Sequence, residues 1–181
     1  MQNFSYYNPT RIIFGKGTMS EVGKEAAAWG KKVLFHFGGG SIKKNGVYDT
    51  VTASLKAVGL DIVYLGGVVP NPHLSLVREG IALCKKEKID FILAVGGGSV
   101  IDSAKAIAFG AKLPSSEDVW NDYYAKAEYP IRESLPLGVV LTIPAAGSES
   151  STGSVITDAE HGLKRAVNSV TIVAKFAVMD P

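Results

Sequence analysis

The segment FILAVGGGSVID, at residues 91–102, decides the fold class. Its first five residues form a continuous apolar run, which is typical of a parallel β-strand covered on both faces. The glycines that follow allow a tight turn and let a ligand approach the backbone, because no Cβ intervenes. A helix is predicted from Ser99 to Phe109. A strand that passes through a glycine turn directly into a helix is the repeating unit of α/β proteins.

The same GGGS tetrapeptide occurs at residues 38–41, also after a predicted strand. Strands and helices alternate along the chain, which indicates βαβ units and a parallel sheet. Strands are predicted over residues 10–14, 32–37, 61–65, 91–95, 138–143 and 175–179, and helices over residues 19–29, 45–58, 76–88 and 99–109. We therefore predict one α/β domain over residues 1–181, a Rossmann-like doubly wound and mostly parallel sheet. A β-hairpin is expected near the C-terminus, with strands at 153–157 and 164–168, and residues 113–134 are expected to form a long surface excursion.

The composition is that of a single globular domain. The chain has 181 residues, 46% of them hydrophobic, and a formal net charge of +2. This charge balance gives no reason to expect nucleic acid or an anionic membrane as a partner, and no apolar run approaches the ~18 residues of a membrane span. The first residues have no basic or apolar leader pattern. The single cysteine, Cys84, fits a reducing compartment and is expected to be a small buried hydrophobe. We expect a cytoplasmic protein.

Two helix starts carry capping patterns. Residues 18–21, TMSE, have the form of a capping box. Ser99 and Asp102 also have that spacing, so this carboxylate could cap a helix or contact a ligand. Gly59 is placed as the left-handed residue after a helix.

The two glycine clusters point to phosphate chemistry. Ligands of open α/β sheets bind beyond the carboxyl ends of the strands, and a helix N-terminus favours a phosphate. Neither cluster is a G-x-G-x-x-G fingerprint, because Lys43 and Ile101 stand where the third glycine belongs. Each cluster could instead be only a tight turn. The hydroxyl-rich residues 147–150 are equally open to two interpretations, a polar turn or a lining for ribose and phosphate.

The three histidines are scattered and give no metal motif. His36, His73 and His161 have no acidic partner at ligand spacing, so no complete metal site is expected within this chain. His36 lies inside a predicted strand between two phenylalanines and is expected to be a hydrogen-bonded core residue.

Four motifs together resemble the iron-containing (group III) alcohol dehydrogenases, and among them the butanol dehydrogenase-like aldehyde reductases. The motifs are residues 9–15 (PTRIIFG), 71–72 (NP), 96–102 (GGGSVID) with Lys105, and 142–149 (TIPAAGSE). They occur in the order and spacing of the family across essentially the whole chain. One departure is Ala146, where many members have threonine, and this puts one hydroxyl contact in doubt.

The resemblance implies NAD(P)-dependent interconversion of an aldehyde and a primary alcohol. It implies that Gly97, Gly98 and Ser99 hold the pyrophosphate, that Asp102 lies near the nicotinamide, and that Thr142 and Ser148 line the adenosine and ribose side. The remaining implied cofactor contacts are Lys164 in the hairpin, Gly38, Gly39 and Ser41 at the adenosine ribose, and Asn71. No catalytic or metal-binding residue is implied within this chain.

The resemblance also implies features that lie outside this chain. Family members continue into a helical domain that holds iron (or zinc) through one aspartate and three histidines, and they form homodimers. Two alternatives remain open: a polyol dehydrogenase or dehydroquinate synthase-like enzyme of the same architecture, or a nucleotide-binding module without catalysis. Because lysines follow the first glycine cluster and no carboxylate is present there, NADP is expected as the preferred cofactor over NAD.

Overall fold

A computed structural model describes residues 3–126 and 130–181 and contains a six-stranded parallel sheet and a separate two-stranded hairpin. The strands are β1 (Arg11–Phe14), β2 (Lys32–Gly38), β3 (Asp61–Val68), β4 (Phe91–Gly96), β5 (Leu137–Leu141), β6 (Gly153–Asp158), β7 (Leu163–Asn168) and β8 (Phe176–Met179). The order across the sheet is β1-β8-β5-β4-β2-β3, and β6 pairs with β7 in the antiparallel hairpin. The predicted α/β class, parallel sheet and hairpin are confirmed.

In the part of the chain that the structure describes, five α-helices connect the strands and cover both faces of the sheet. They are α1 (Val22–Ala27), α2 (Ser41–Lys44), α3 (Val47–Ala57), α4 (Leu74–Glu87) and α5 (Gly98–Gly110). In β2, Val33 and Phe35 belong to the apolar cluster shared with α1, α2 and α3, whereas Leu34 belongs to the cluster shared with α4 and α5. The alternation follows from the two-residue period of a strand, and it explains why both faces are apolar.

The chain reverses its winding direction between β2 and β4. From β2 it moves outward to the edge strand β3 and then returns to the other side of β2 as β4. Such a reversal opens a crevice at the carboxyl ends of the two central strands, where doubly wound proteins bind ligands. Phe37 lies opposite Val95 in the β2–β4 ladder, so the two GGGS segments follow directly at this crevice.

Local structure differs from two expectations. The predicted capping box is wrong: Thr18–Glu21 is a 3-10 helix without a side-chain cap, and the Thr18 hydroxyl donates to the Gly15 carbonyl instead. The helix expected over residues 19–29 is therefore divided and only Val22–Ala27 is α-helical. By contrast, Gly59 is left-handed (φ 75°) directly after the C-cap of α3, as predicted.

The prediction of a surface excursion at residues 113–134 is wrong for the central part of that segment. Val119–Ala125 forms a π-helix whose side chains Trp120, Tyr123 and Tyr124 are buried. Aromatic burial drives this packing, because each ring removes a large apolar area from water. Residues 127–129 of the excursion lie outside the described residues. Among the described helices, none is both long enough and apolar enough to span a membrane.

Candidate functional site

The second glycine loop joins β4 to α5 at the crevice. Gly97 is the N-cap of α5 in extended conformation, and no side chain caps the helix. Its carbonyl accepts the amides of Val100 and Ile101 at 3.0 and 3.2 Å. The amides of Gly98 and Ser99 are the first two of the helix, and the first amides of an α-helix have no acceptor within it. They lie at the helix N-terminus, where amide dipoles favour an anion.

The first glycine loop is more open. A Cβ placed on Gly39 would meet no atom within 4 Å, whereas one on Gly38 would lie 3.4 Å from the Val68 carbonyl oxygen. Gly40 has φ 114°, a conformation that favours glycine, and begins the one-turn helix α2. The ammonium of Lys43 lies 5.2 Å from the ring centroids of both Phe37 and Tyr48. The loop therefore offers free space together with a nearby cation.

A third loop, residues 147–153, faces the second glycine loop. Gly147 is left-handed (φ 75°) and precedes a 3-10 turn at Ser148–Ser150. The Ser148 hydroxyl lies 3.2 Å from the position that a Cβ on Gly98 would occupy. The Ser148 side chain therefore stands beside the N-terminus of α5.

Asp102 connects α5 to the hairpin rather than capping the helix. The Val155 amide donates to its carboxylate at 3.2 Å, and the Ser154 hydroxyl donates to its backbone carbonyl at 2.7 Å. The capping interpretation of Ser99 and Asp102 is wrong, because α5 begins at Gly98. Burial raises the pKa of the Asp102 carboxyl, and the Val155 amide and the charge of Lys105 oppose this shift.

Two of the predicted contact residues, Lys164 of the hairpin and Asn71 just beyond β3, bind each other. The Lys164 ammonium donates to Asn71 Oδ1 at 2.8 Å. Asn71 has φ 57°, a left-handed conformation that is uncommon outside glycine and that asparagine tolerates better than most residues. The hairpin is also held by the Thr157 amide, which donates to the Pro72 carbonyl at 2.9 Å.

Thr142 lies at the other side of the sheet's carboxyl edge. Its amide donates to the Gly96 carbonyl at 3.1 Å, extending the β4–β5 pairing by one residue. With Asn45, Val47 and Asp180 it lines a small cavity of about 110 Å³. Thr142 thus flanks the Gly96–Ser99 loop at Gly96, and Ser148 flanks it at Gly98.

The predicted residues lie at or near the carboxyl ends of the parallel strands. The Gly38–Ser41 loop follows β2, the Gly96–Ser99 loop follows β4, and Asn71, which binds Lys164, lies three residues beyond the end of β3. Ser148 stands beside Gly98, and Asp102 binds the Val155 amide of the hairpin. The glycines leave backbone amides accessible, and Lys43 and Lys164 add positive charge, so this edge of the sheet fits an anionic ligand.

The model of one protein family, described as iron-containing alcohol dehydrogenase, matches residues 9–181. The chain belongs to this family.

Similar proteins agree with the assignment to the iron-containing alcohol dehydrogenases. The chain is 49% identical over its full length to probable NADH-dependent butanol dehydrogenase 1 of Bacillus subtilis, of which it covers 46%. It is 42% identical to the NADPH-dependent aldehyde reductase YqhD of Escherichia coli, again covering 46% of that protein. The crystal structure of an NADH-dependent butanol dehydrogenase A from Thermotoga maritima superposes with a TM-score of 0.92 at 48% identity, over 100% of this chain and 45% of that one. The chain thus spans about half the length of the proteins it matches.

The described residues contain one group of side chains that could hold a metal ion. The one group of three possible ligands in residues 3–126 and 130–181 is Asp158, Glu160 and His161, whose ligand atoms lie within 4.8 Å of one another at the hairpin turn. Asp158 is buried, whereas Glu160 and His161 are exposed. His161 Nδ1 is 2.7 Å from Asp158 Oδ2. The expectation that no histidine has an acidic partner is therefore wrong for His161, because the tight turn brings residues three apart together. One exposed imidazole does not match one aspartate with three histidines.

The other two histidines are not paired with carboxylates in the described structure. His36 is fully buried, and its ring nitrogens lie 2.9 Å from the Leu65 carbonyl and from the Ser103 hydroxyl. Since a carbonyl only accepts, Nδ1 carries the proton and Nε2 accepts from Ser103. Burial lowers the pKa of His36 to about 4. The predicted role as a hydrogen-bonded core residue is confirmed.

Sequence reasoning missed one residue of the site, Lys105. It is buried, and its ammonium binds the loop of residues 147–153. A signal was present in the sequence, because Asp102 and Lys105 are the two charged residues within the otherwise apolar stretch of α5 and lie three positions apart. A charged side chain in a buried helix needs a partner.

Proposed function

We propose that this chain is the cofactor-binding part of an NAD(P)-dependent, metal-dependent alcohol dehydrogenase or aldehyde reductase that acts on small primary alcohols and aldehydes. The observation that carries the proposal is the pair of glycine loops at the reversal between β2 and β4, one of which starts the long helix α5 without a side-chain cap. Membership of the iron-containing alcohol dehydrogenases supports the reaction class.

The proposed cofactor contacts lie at the carboxyl edge of the sheet. The amides of Gly98 and Ser99 bind the pyrophosphate, and Gly97 lets it approach the backbone. Gly38, Gly39 and Ser41 receive the adenosine ribose, and Thr142 and Ser148 line the adenosine and ribose side. Asp102 lies near the nicotinamide, and Asn71 and Lys164 make further contacts with the cofactor. When bound, the nicotinamide gives or takes the hydride.

We propose NADP as the preferred cofactor. Gly39 leaves open space, Ser41 offers a hydroxyl, and Lys43 lies close by on two aromatic rings, from which a flexible ammonium can turn toward a 2′-phosphate. No carboxylate stands within residues 38–44 to repel it. Among the similar proteins, one is named NADH-dependent and another NADPH-dependent. The proposed preference for NADP therefore rests on the local chemistry of residues 38–44.

The metal, iron or zinc, is proposed to be held by a helical domain outside this chain. Support comes from the length of the Bacillus subtilis relative, of which this chain covers 46%.

The proposed location is the cytoplasm, since the sole cysteine, Cys84, is buried as a free thiol.

We propose a homodimer formed along β1. This strand pairs with β8 on one side and lies at the edge of the sheet, and its Ile12 and Phe14 side chains are 48% and 71% exposed. An exposed edge strand with apolar side chains favours pairing with a second copy across a two-fold axis. We expect light scattering to give the mass of a dimer or larger species at micromolar concentration, and a Phe14→Lys variant to shift it toward the monomer. A monomeric wild type contradicts this proposal.

The central test uses one preparation of the 181-residue chain and three measurements. Calorimetry should show weak binding of NADPH, because the proposed phosphate cradle is local to residues 96–99 and α5. Metal analysis should show no stoichiometric iron or zinc, and a steady-state assay should show no alcohol oxidation above background. The complete gene product, as the positive control, should oxidise a primary alcohol with NADP.

The possible results separate the alternatives. Turnover with bound metal by the 181 residues alone would mean that the catalytic groups are misplaced here. Binding without turnover by the complete gene product would favour a nucleotide-binding module, and a preference for polyols over simple alcohols would favour a polyol dehydrogenase. Absence of any dinucleotide binding by both proteins would refute the proposed function.

A further inference from the structure

Lys105 is a fully buried lysine. It lies behind the crevice at the carboxyl ends of β2 and β4, where the cofactor is proposed to bind and which we call the cofactor groove. Its side chain extends from α5 toward the loop of residues 147–153 and has no exposed surface. Desolvation lowers the pKa of Lys105 to about 8, opposed by the negative charges of Asp102 and Glu149. The ammonium is therefore still the main form at neutral pH. Burying a cation is costly unless it is fully hydrogen-bonded, and this lysine is.

All hydrogen-bond partners found for the Lys105 ammonium lie in one short loop. It donates to the carbonyls of Ser148 (2.8 Å), Ser151 (2.7 Å) and Gly153 (2.9 Å), and the Ser151 hydroxyl lies at 3.1 Å. Charge-assisted bonds are about twice as strong as neutral ones. A single side chain thus holds the loop at several points along its length.

The position of this loop sets the geometry next to α5. Ser148, the first residue bound by Lys105, places its hydroxyl 3.2 Å from the site of a Cβ on Gly98. Gly153, the last, begins β6, whose Val155 amide binds the Asp102 carboxylate. A shift of the loop would therefore move the Ser148 hydroxyl beside the helix N-terminus and disturb the bond between the Val155 amide and the Asp102 carboxylate.

We infer that Lys105 is a positioning residue for dinucleotide binding: its ammonium fixes the loop of residues 147–153 against the Gly96–Ser99 loop and so sets the width of the groove. This inference rests on the proposed function. Lys105 itself does not reach the groove, since its side chain is enclosed, and it acts through Ser148. Its removal should therefore weaken cofactor binding more than it slows turnover at saturating cofactor.

The test compares Lys105→Met with Lys105→Arg in the complete gene product, with exposed Lys112→Met as the matched control. Lys105→Met keeps the length of the side chain and removes its donors. We expect it to raise the Kd and the KM for NADPH about tenfold or more while kcat falls less, Lys105→Arg to recover part of the affinity, and Lys112→Met to leave both unchanged. Hydrogen exchange should become faster at the amides of Ser150 and Ser151 and stay unchanged in β4.

A double-mutant cycle tests whether Lys105 acts on cofactor binding through Ser148. Ser148→Ala alone should weaken binding, and it should add little in the Lys105→Met background, because residues that act as one unit are not additive. If Lys105→Met does not fold, Ser151→Ala, which removes one acceptor of the ammonium, serves as the milder variant and should raise the Kd by a smaller factor.

The outcomes distinguish a failure of the inferred role of Lys105 from a failure of the proposed function. A folded Lys105→Met enzyme with wild-type Kd, or an unchanged Kd in Ser151→Ala when Lys105→Met does not fold, overturns the role of Lys105 alone. So does full additivity with Ser148→Ala. A wild-type protein that binds neither dinucleotide overturns the proposed function and, with it, the reason for this role.

Discussion

The two GGGS segments are identical in sequence, yet the structure gives them different surroundings. Gly96–Ser99 leads into the 13-residue helix α5 and is packed between Val100, Ile143 and Ser148. Residues 38–41 lead into a single helical turn, and nothing lies within 4 Å of a Cβ placed on Gly39 or Gly40. One loop is enclosed at the N-terminus of a long helix, and the other is open beside a lysine and two aromatic rings.

This difference shows that a glycine motif specifies freedom of the backbone but not its use. A long helix with unpaired first amides attracts a phosphate, whereas a single turn provides little such attraction. The open loop instead has room for side-chain recognition. We therefore assign affinity to the second loop and cofactor preference to the first, and three experiments test this division of roles.

The largest effect is expected from Gly97→Val. Gly97 has φ −93° and ψ −169°, an extended conformation. A Cβ added to Gly97 would lie 3.7 Å from its nearest neighbour, the Cβ of Ile143, so the fold accepts the side chain. The isopropyl group would keep a phosphate from the first amides of α5. Loss of one charged hydrogen bond costs about 1.5–3 kcal/mol, so the Kd for NADPH, measured by calorimetry, should rise by about 10- to 100-fold.

Gly39→Val is the matched control for this loop comparison, because a Cβ on Gly39 meets no atom within 4 Å and so causes no clash either. It should weaken NADPH binding clearly less than Gly97→Val, and both variants should keep the wild-type melting temperature within a few degrees. Equal losses of affinity at the two positions would remove the distinction between the loops.

A smaller effect, on cofactor preference, is expected from Gly39→Asp. A carboxylate here can accept hydrogen bonds from the ribose hydroxyls of NAD and repels the 2′-phosphate of NADP. The ratio of kcat/KM for NADP to that for NAD should fall about tenfold, roughly 1.4 kcal/mol. Gly39→Asn, of equal size without the charge, should change the ratio much less. A wild type that uses NAD as well as NADP or better would refute the assigned preference.

The smallest effect concerns the contact between β2, which precedes the first loop, and α5, which follows the second loop. His36 lies two residues before Gly38 and binds Ser103 of α5, the helix that follows the second loop. Its pKa of about 4 is below the ordinary 6.5, so the unfolded chain binds the proton more readily. Stability is therefore lost as the pH falls through 6.5 toward 4.

Denaturant unfolding at pH 7 and pH 5.5 measures this loss. His36 should contribute a decrease on the order of 1 kcal/mol over that interval. His36→Gln, which cannot titrate, should show a smaller decrease than the wild type, so that the difference in unfolding free energy between the two proteins narrows at pH 5.5. The same pH dependence in both proteins would show that protonation of His36 does not couple the loops to stability.

Local patterns predicted the alternation of strands and helices, the hairpin and the buried central strands, because these follow from side-chain period and from glycine. They failed at Thr18–Glu21, where a capping pattern forms no cap, and at Val119–Ala125, where prolines on either side suggested a surface segment. In both cases distant packing decided the outcome. The aromatic residues of the π-helix gain more from burial against α5 than a solvated loop would offer.

The sequence by itself determined the family, the α/β class and the residues that leave the backbone open, namely the glycines of the two loops. Only the tertiary structure decided which groups meet: Lys105 with the loop of residues 147–153, His36 with Ser103, Asp102 with Val155, and Lys164 with Asn71. The reason is physical. Glycine and apolar periodicity act within a few residues, whereas the partner of a buried charge or ring nitrogen depends on which strands become neighbours when the sheet assembles.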